Sequence, residues 1–183
     1  MYFRDSKKRN IKWRDQITLV DSHCHLDFPE FDGQLDDIVA RAANASVRYM
    51  MTICTRTTEF RKVRSIAESY DNIWCTVGIH PHNVSSEPKI TPQSLIKMAE
   101  HPKVVGFGES GLDFHYNNSP QDMQEYAFRM HIEAAREASL PIIIHSREAD
   151  DRTIKILRDE QKNGKFLGVI HCFTGGSKLS ETI

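Results

Sequence analysis

A chain of 183 residues, 39% hydrophobic and 27% charged, has the length and composition of one globular domain with a substantial core. Its formal net charge of -1 gives no global pull on a polyanion, so any nucleic-acid binding must come from a local site. The apolar runs are too short for a membrane span, no secretory leader is visible, and the four cysteines form no C-x-x-C pair; a cytoplasmic protein with reduced, mostly buried thiols is the expectation.

Residues 1–14 carry Arg4, Lys7, Lys8, Arg9, Lys12 and Arg14 against a single acid, Asp5. A solvated, poorly ordered basic leader over 1–16 accounts for this more simply than a nucleic-acid-binding arm. One domain is expected over 17–183.

A short apolar run predicts the first strand at 17–20, and "VDSHCHLDF" follows at its end. In extended chain, residues two apart share a side, so His23 and His25 face one way and Cys24 the other. A helix is predicted over 35–45, a strand over 47–53 and a helix over 59–70. The third strand, 73–77, ends in "VGIHPH", which supplies His80 and His82. Thr91-Pro92 then starts a helix over 92–100, with a capping side chain and proline at the first helical position. The fourth strand, 104–107, runs into "GESGLDF" with Glu109 and Asp113. Ser119-Pro120 repeats the start signal for a helix over 120–138, and Asp122 makes a carboxylate variant of the capping box. The fifth strand, 142–144, ends with His145 and Arg147; a helix over 149–161 and a sixth strand, 166–170, ending at His171, complete the series.

Repeated strand-then-helix units imply a parallel sheet covered by helices, either open and doubly wound or a barrel. Both place ligands at the carboxyl ends of the strands. Six of the nine histidines follow a strand there, a bias that placement for packing alone does not produce. His101, His115 and His131 lie elsewhere and read as surface or loop residues. Histidines and carboxylates without thiolate suit Zn, Mn, Fe or Mg. His23, His25 and Glu109 can hold one ion while Glu109, His145 and His171 hold a second, with Glu109 as the bridge and a water activated between the two. "GFGESG" fits the dinucleotide pattern G-x-G-x-x-G, but "LDFHYNNSP" separates it from the next helix, whereas a pyrophosphate needs that helix to open at once. No nicotinamide cofactor is expected; the glycines read as a loop that brings Glu109 into the site.

"DSHCHLDF", "VGIHPH", "GFGESGLDF", "PIIIHSRE" and "VIHCFTGG" occur in the order and spacing of the TatD family of metal-dependent deoxyribonucleases and related hydrolases, which this chain resembles from about residue 19 to 176. The resemblance implies an α/β fold, a TIM-type (β/α)8 barrel of which about six βα units are present. It also implies a site for two divalent ions (Mg, Mn or Zn) in the mouth, and hydrolysis of phosphodiester bonds in DNA by metal-activated water. It implies that His23, His25, Glu109, His145 and His171 are metal ligands, and that His80, His82, Asp113 and Arg147 line the site, Arg147 as the phosphate contact. Family members carry a further aspartate after the seventh strand; the last residue here is Ile183, and an incomplete barrel is therefore expected, with open edges prone to self-association and with little nuclease activity. Two other readings compete. One is an ester or cyclic-amide hydrolase on the same barrel; the other is an inactive fragment that only binds metal or a partner.

Overall fold

The computed structural model describes residues 18–182; the basic leader expected at 1–16 lies outside them. Six strands, β1 (Leu19–Cys24), β2 (Val47–Thr52), β3 (Ile73–Val77), β4 (Val104–Asp113), β5 (Ile142–Arg147) and β6 (Gly168–Ile170), alternate with helices α1 (Leu35–Asn44), α2 (Phe60–Ser69), α3 (Pro92–Ala99), α4 (Gln121–Ala138), α5 (Asp150–Gln161) and α6 (Ser177–Ser180). The sheet order is β1-β2-β3-β4-β5-β6 and every neighbouring pair is parallel. A doubly wound sheet reverses its order part-way; a steady order with a helix after each strand is the winding of a barrel. The expected fold class holds, with six βα units.

The helices bury the stripe that their sequence spacing provides. Phe60, Val63, Ile66 and Ala67 of α2 recur at three- and four-residue intervals and face the sheet. On α4 the same spacing buries Ala127, Phe128, Ile132 and Ala135, and sets two polar residues, Gln124 and His131, on that inner face. Glu160 of α5 is buried against α4, where it accepts hydrogen bonds from Arg129 (2.6 Å) and Arg136 (2.8 Å). The central strands β3 and β4 are buried along almost their whole length, whereas β1 leaves Val20 in solvent, and so do β6 with Val169 and the segment before it with Leu167.

Several boundaries differ from the sequence expectation: β1 runs on to Cys24 and β5 to Arg147, so that His23 and His145 stand within strands, and β6 begins only at Gly168. Thr91 forms the expected cap on α3, in a reciprocal capping box with Ser94. Ser119 does not cap α4: its hydroxyl donates to the carbonyl of His82 and accepts from the backbone N–H of Ser85, so it ties the loop after β3 to the start of α4. The fourth strand does not end at Phe107 but runs on to Asp113, so Glu109 stands in a strand and not in a glycine loop. The glycines serve close approach instead. A Cβ on Gly108, at φ +127°, would lie 2.5 Å from the Ile143 carbonyl oxygen. Gly111, at φ +148°, is pressed even closer to the carbonyl of His145.

Candidate metal centre

Register explains why the chemistry gathers on β4 and β5. Glu109, Gly111 and Asp113 alternate along β4 and point to one side. Gly111 pairs with His145, so the imidazole of His145 lies between the two carboxylates. Its Nδ1 is 2.8 Å from Glu109 Oε1 and its Nε2 is 3.0 Å from Asp113 Oδ2. The other strand ends then converge on Glu109, which is only 2% exposed. His23 Nε2 lies 3.1 Å and His25 Nε2 3.9 Å from Glu109 Oε2. His171 Nε2 lies 2.5 Å and His80 Nε2 3.4 Å from Oε1. His82 faces Asp113 Oδ2 at 2.8 Å. Arg147, on the outer rim, is exposed and sits over the ring of Tyr116 at 4.8 Å. All nine site residues expected from the sequence thus stand in one region of the fold.

The donor set fits cations. A carboxylate offers about four lone-pair sites, yet five imidazole nitrogens crowd the two oxygens of Glu109. His171 Nε2 and His145 Nδ1 also face each other at 3.4 Å, an arrangement that needs a shared proton or cation between them. Ligand atoms of His23, His25 and Glu109 lie within 4.8 Å of one another, and so do those of His80, Glu109 and His145. Cys24 takes no part. Its thiol points away to the Met51 carbonyl, and burial, then Asp21 and Asp27, push its pKa up to about 12.

Hydrogen bonding separates candidate ligands from donors. The Nδ1–H of His25 donates to the Ile53 carbonyl (3.2 Å), which leaves the Nε2 lone pair turned toward Glu109. Asp113 accepts the Nε2–H of His145 in the same manner and frees Nδ1. His80 is the reverse case. Its Nδ1 accepts the backbone N–H of His82 (3.2 Å), so the neutral ring carries its proton on Nε2 and presents a donor, although distance alone admits it to the second ligand group. Burial opposes the charge on Glu109, but the imidazoles of His145, His171, His23 and His80 crowded around it overcome this and hold the carboxyl far below its usual range. Burial likewise favours the neutral forms of His25 and His80.

A family model described as TatD related DNase matches residues 20–183. The chain belongs to this family. The metal-dependent hydrolase YabD of Bacillus subtilis (strain 168) is 33% identical over 162 residues, which is 88% of this chain and 63% of the relative. The 3'-5' ssDNA/RNA exonuclease TatD of Shigella flexneri is 36% identical over 158 residues, 86% of this chain and 60% of the relative. The crystal structure of YJJV, a TatD homologue from Escherichia coli, has a TM-score of 0.80 at 29% identity and covers 90% of this chain and 63% of that one. The chain therefore spans about three fifths of the length of these relatives. An amidohydrolase from Saccharomyces cerevisiae shares the fold, with a TM-score of 0.74 at 18% identity.

Two further residues support this TatD-type site: Gln124, which the sequence does not single out, and His131, which it places at the surface or in a loop. Gln124, fully buried on α4, accepts the backbone N–H of Asp113 (2.8 Å) and donates to the carbonyls of Asp113 (3.2 Å) and Ser119 (2.7 Å). It fixes the end of β4, and with it the carboxylate that His82 and His145 share. His131, read as a surface or loop residue, is instead fully buried seven residues further along the same helix face. It accepts the backbone N–H of Ile79 at Nε2 (3.1 Å) and donates from Nδ1 to Ala127 (2.7 Å). The signal was its helical spacing, which places it on one stripe with Gln124, Ala127, Phe128 and Ala135. His101 and His115 pair near the surface with Glu68 and Glu148, as expected.

Burial pushes the His131 pKa down from 6.5 to about 4. Below pH 6.5 the unfolded chain takes up a proton there that the folded chain refuses, so stability falls as the pH drops from 6.5 to about 4. The full effect is about 3 kcal/mol. Urea unfolding across that window should show a steeper loss for the parent than for His131→Gln, whose amide can still accept from Ile79. Equal slopes would show that His131 is not held neutral.

Proposed function

We propose that this chain carries the metal centre of a nucleic-acid phosphodiesterase that works with two divalent cations. The convergence of five imidazoles on Glu109 is the observation that carries this reading. The exonuclease name borne by relatives such as the Shigella flexneri TatD supports the substrate class. His23, His25 and Glu109 would hold one ion; Glu109, His145 and His171 would hold the other. When bound, the ions supply Lewis-acid polarisation of the phosphoryl group and a water acidified to near neutral pH. The chain's own residues do the rest. Ile53 and Asp113 fix the tautomers of His25 and His145, so that their lone pairs would be available to the ions. His80, whose protonated Nε2 lies 3.4 Å from Glu109 Oε1, is placed to share that proton with a phosphoryl oxygen bound beside the carboxylate. His82 keeps Asp113 oriented, and Arg147 on the rim takes a neighbouring phosphate in a bidentate grip. The free thiols of Cys24, Cys54, Cys75 and Cys172 agree with a cytoplasmic setting. No helix among the described residues is long and apolar enough to cross a membrane.

The test uses protein stripped with EDTA and single-stranded DNA. Mg²⁺ or Mn²⁺ should restore binding of the strand, and rising salt should weaken that binding as phosphate contacts are screened. Cleavage that survives excess chelator would sink the metal mechanism. Metal-loaded protein that neither binds nor cleaves the strand would sink the substrate class.

The β6 side of the sheet motivates a second expectation. No strand pairs beyond β6 among the described residues, and Leu167 and Val169 are 76% and 56% exposed there. Unpaired edges with apolar side chains favour association. Light scattering should show the chain growing in mass with concentration, and Leu167→Lys with Val169→Lys should suppress this. A monodisperse monomer at all concentrations would refute it.

A further inference from the structure

Two exposed aromatic rings stand at opposite ends of the histidine array. Phe28, 41% exposed, lies flat on His25, with centroids 4.8 Å apart and planes within 10°. Tyr116, 55% exposed, meets His82 edge-on at 5.4 Å and carries the guanidinium of Arg147 at 4.8 Å from its ring centre. The two rings flank Glu109 from different sides: His25 approaches Oε2, while His82 shares Asp113 with His145, which approaches Oε1. The other exposed rings differ: Phe173 lines a cleft with Ile144, Leu157 and Val169, Tyr49 lies by Trp74, and Tyr126 donates its hydroxyl to the Ile90 carbonyl.

Large apolar rings left in water beside a polyanion site have one physical use that burial in the core does not explain. A flat π-face binds another flat π-face, and every nucleobase has one. We propose that Phe28 and Tyr116 are stacking platforms for unpaired nucleobases on either side of the phosphodiester held at Glu109, with Arg147 adding cation–π and phosphate contact beside Tyr116. This rests on the nucleic-acid reading above. It adds the residues that choose the strand form. In a duplex the bases are stacked on one another and offer no free face at the mouth, so the two platforms select an unpaired strand irrespective of sequence.

The deciding experiment compares binding of a dye-labelled oligothymidylate with binding of an abasic deoxyribose-phosphate polymer of equal length, which has the same charge and no bases. Fluorescence anisotropy is read on the intact chain in Ca²⁺ to limit cleavage. The parent should prefer the oligothymidylate. Phe28→Ala and Tyr116→Ala should each weaken its binding roughly tenfold, on the scale of one lost base stack. Both variants should bind the abasic polymer as the parent does, which also reports that they fold, and Phe28→Trp and Tyr116→Trp should restore the preference. Alanine variants that bind oligothymidylate as tightly as the parent overturn the inference. So does a parent that binds both polymers equally well, although the nuclease reading then stands. A parent that binds neither polymer overturns both.

Discussion

Glu109→Gln is expected to lower affinity for divalent cations by more than roughly 100-fold, beyond the loss that follows when only a supporting partner of a metal ligand is removed. The substitution keeps the shape of the side chain and changes its chemistry. One oxygen that faces imidazole lone pairs becomes an NH2 donor, and the negative charge that both proposed ion positions share is lost. The parent carboxylate is buried, and the hydrogen bonds around it hold it ionised far below the usual carboxylate range. A neutral amide there leaves the surrounding histidines to hold the cations without any opposite charge in contact. Mn²⁺ titrated calorimetrically into both proteins gives the affinities, and elemental analysis after gel filtration gives the occupancy. Equal metal content in variant and parent would show that Glu109 is not the shared ligand.

Gly111→Ala should cost about 4 kcal/mol or more, the range that single substitutions reach only when the backbone itself is obstructed. The residue sits at φ +148°, a conformation that side chains rarely adopt, and its missing Cβ would overlap the carbonyl oxygen of His145 on the paired strand. Neither neighbour can rotate away, since both contacts are main chain in the middle of a sheet. Relief requires β4 to separate from β5 between Glu109 and Asp113, where His145 spans the two carboxylates. Chemical denaturation should therefore show a large loss of stability or no folded state. A variant within 1 kcal/mol of the parent, a gap of less than about tenfold in the folded-to-unfolded ratio, would mean that the strands slide apart with ease.

The order and type of the elements were legible because the chain alternates two clear periodicities, Val- and Ile-rich runs and amphipathic helical stripes. The third strand was placed at its observed ends, Ile73–Val77. The fourth was cut short, since glycines in "GFGESG" carry no strand propensity; their role becomes visible only when β4 lies against Ile143 and His145. The candidate ligands are legible because each stands in or just past the carboxyl end of a strand, and parallel strands bring those ends together. The supporting contacts were not. Nothing local to Gln124 shows that it will hold the main chain of Asp113, and Ser119 has the look of a helix cap until its hydroxyl meets His82 and Ser85. Which nitrogen of His80 bears the proton also depends on a neighbour's backbone, which no side-chain pattern encodes.

The sheet order has a consequence for how such a chain is made. Each strand pairs with the one that precedes it, so every βα unit emerging from the ribosome finds its docking edge already synthesised. The proposed metal centre follows a different schedule. His23 and His25 arrive with the first strand, Glu109 with the fourth, His145 with the fifth and His171 only after the sixth. An early nascent chain therefore offers a bare pair of imidazoles, too few to retain a cation against the competing ligands of the cell. Were the proposed ions to bind, the scaffold would come first and the ion would be loaded into it, the opposite of a zinc finger, in which the metal organises a chain that is unfolded without it.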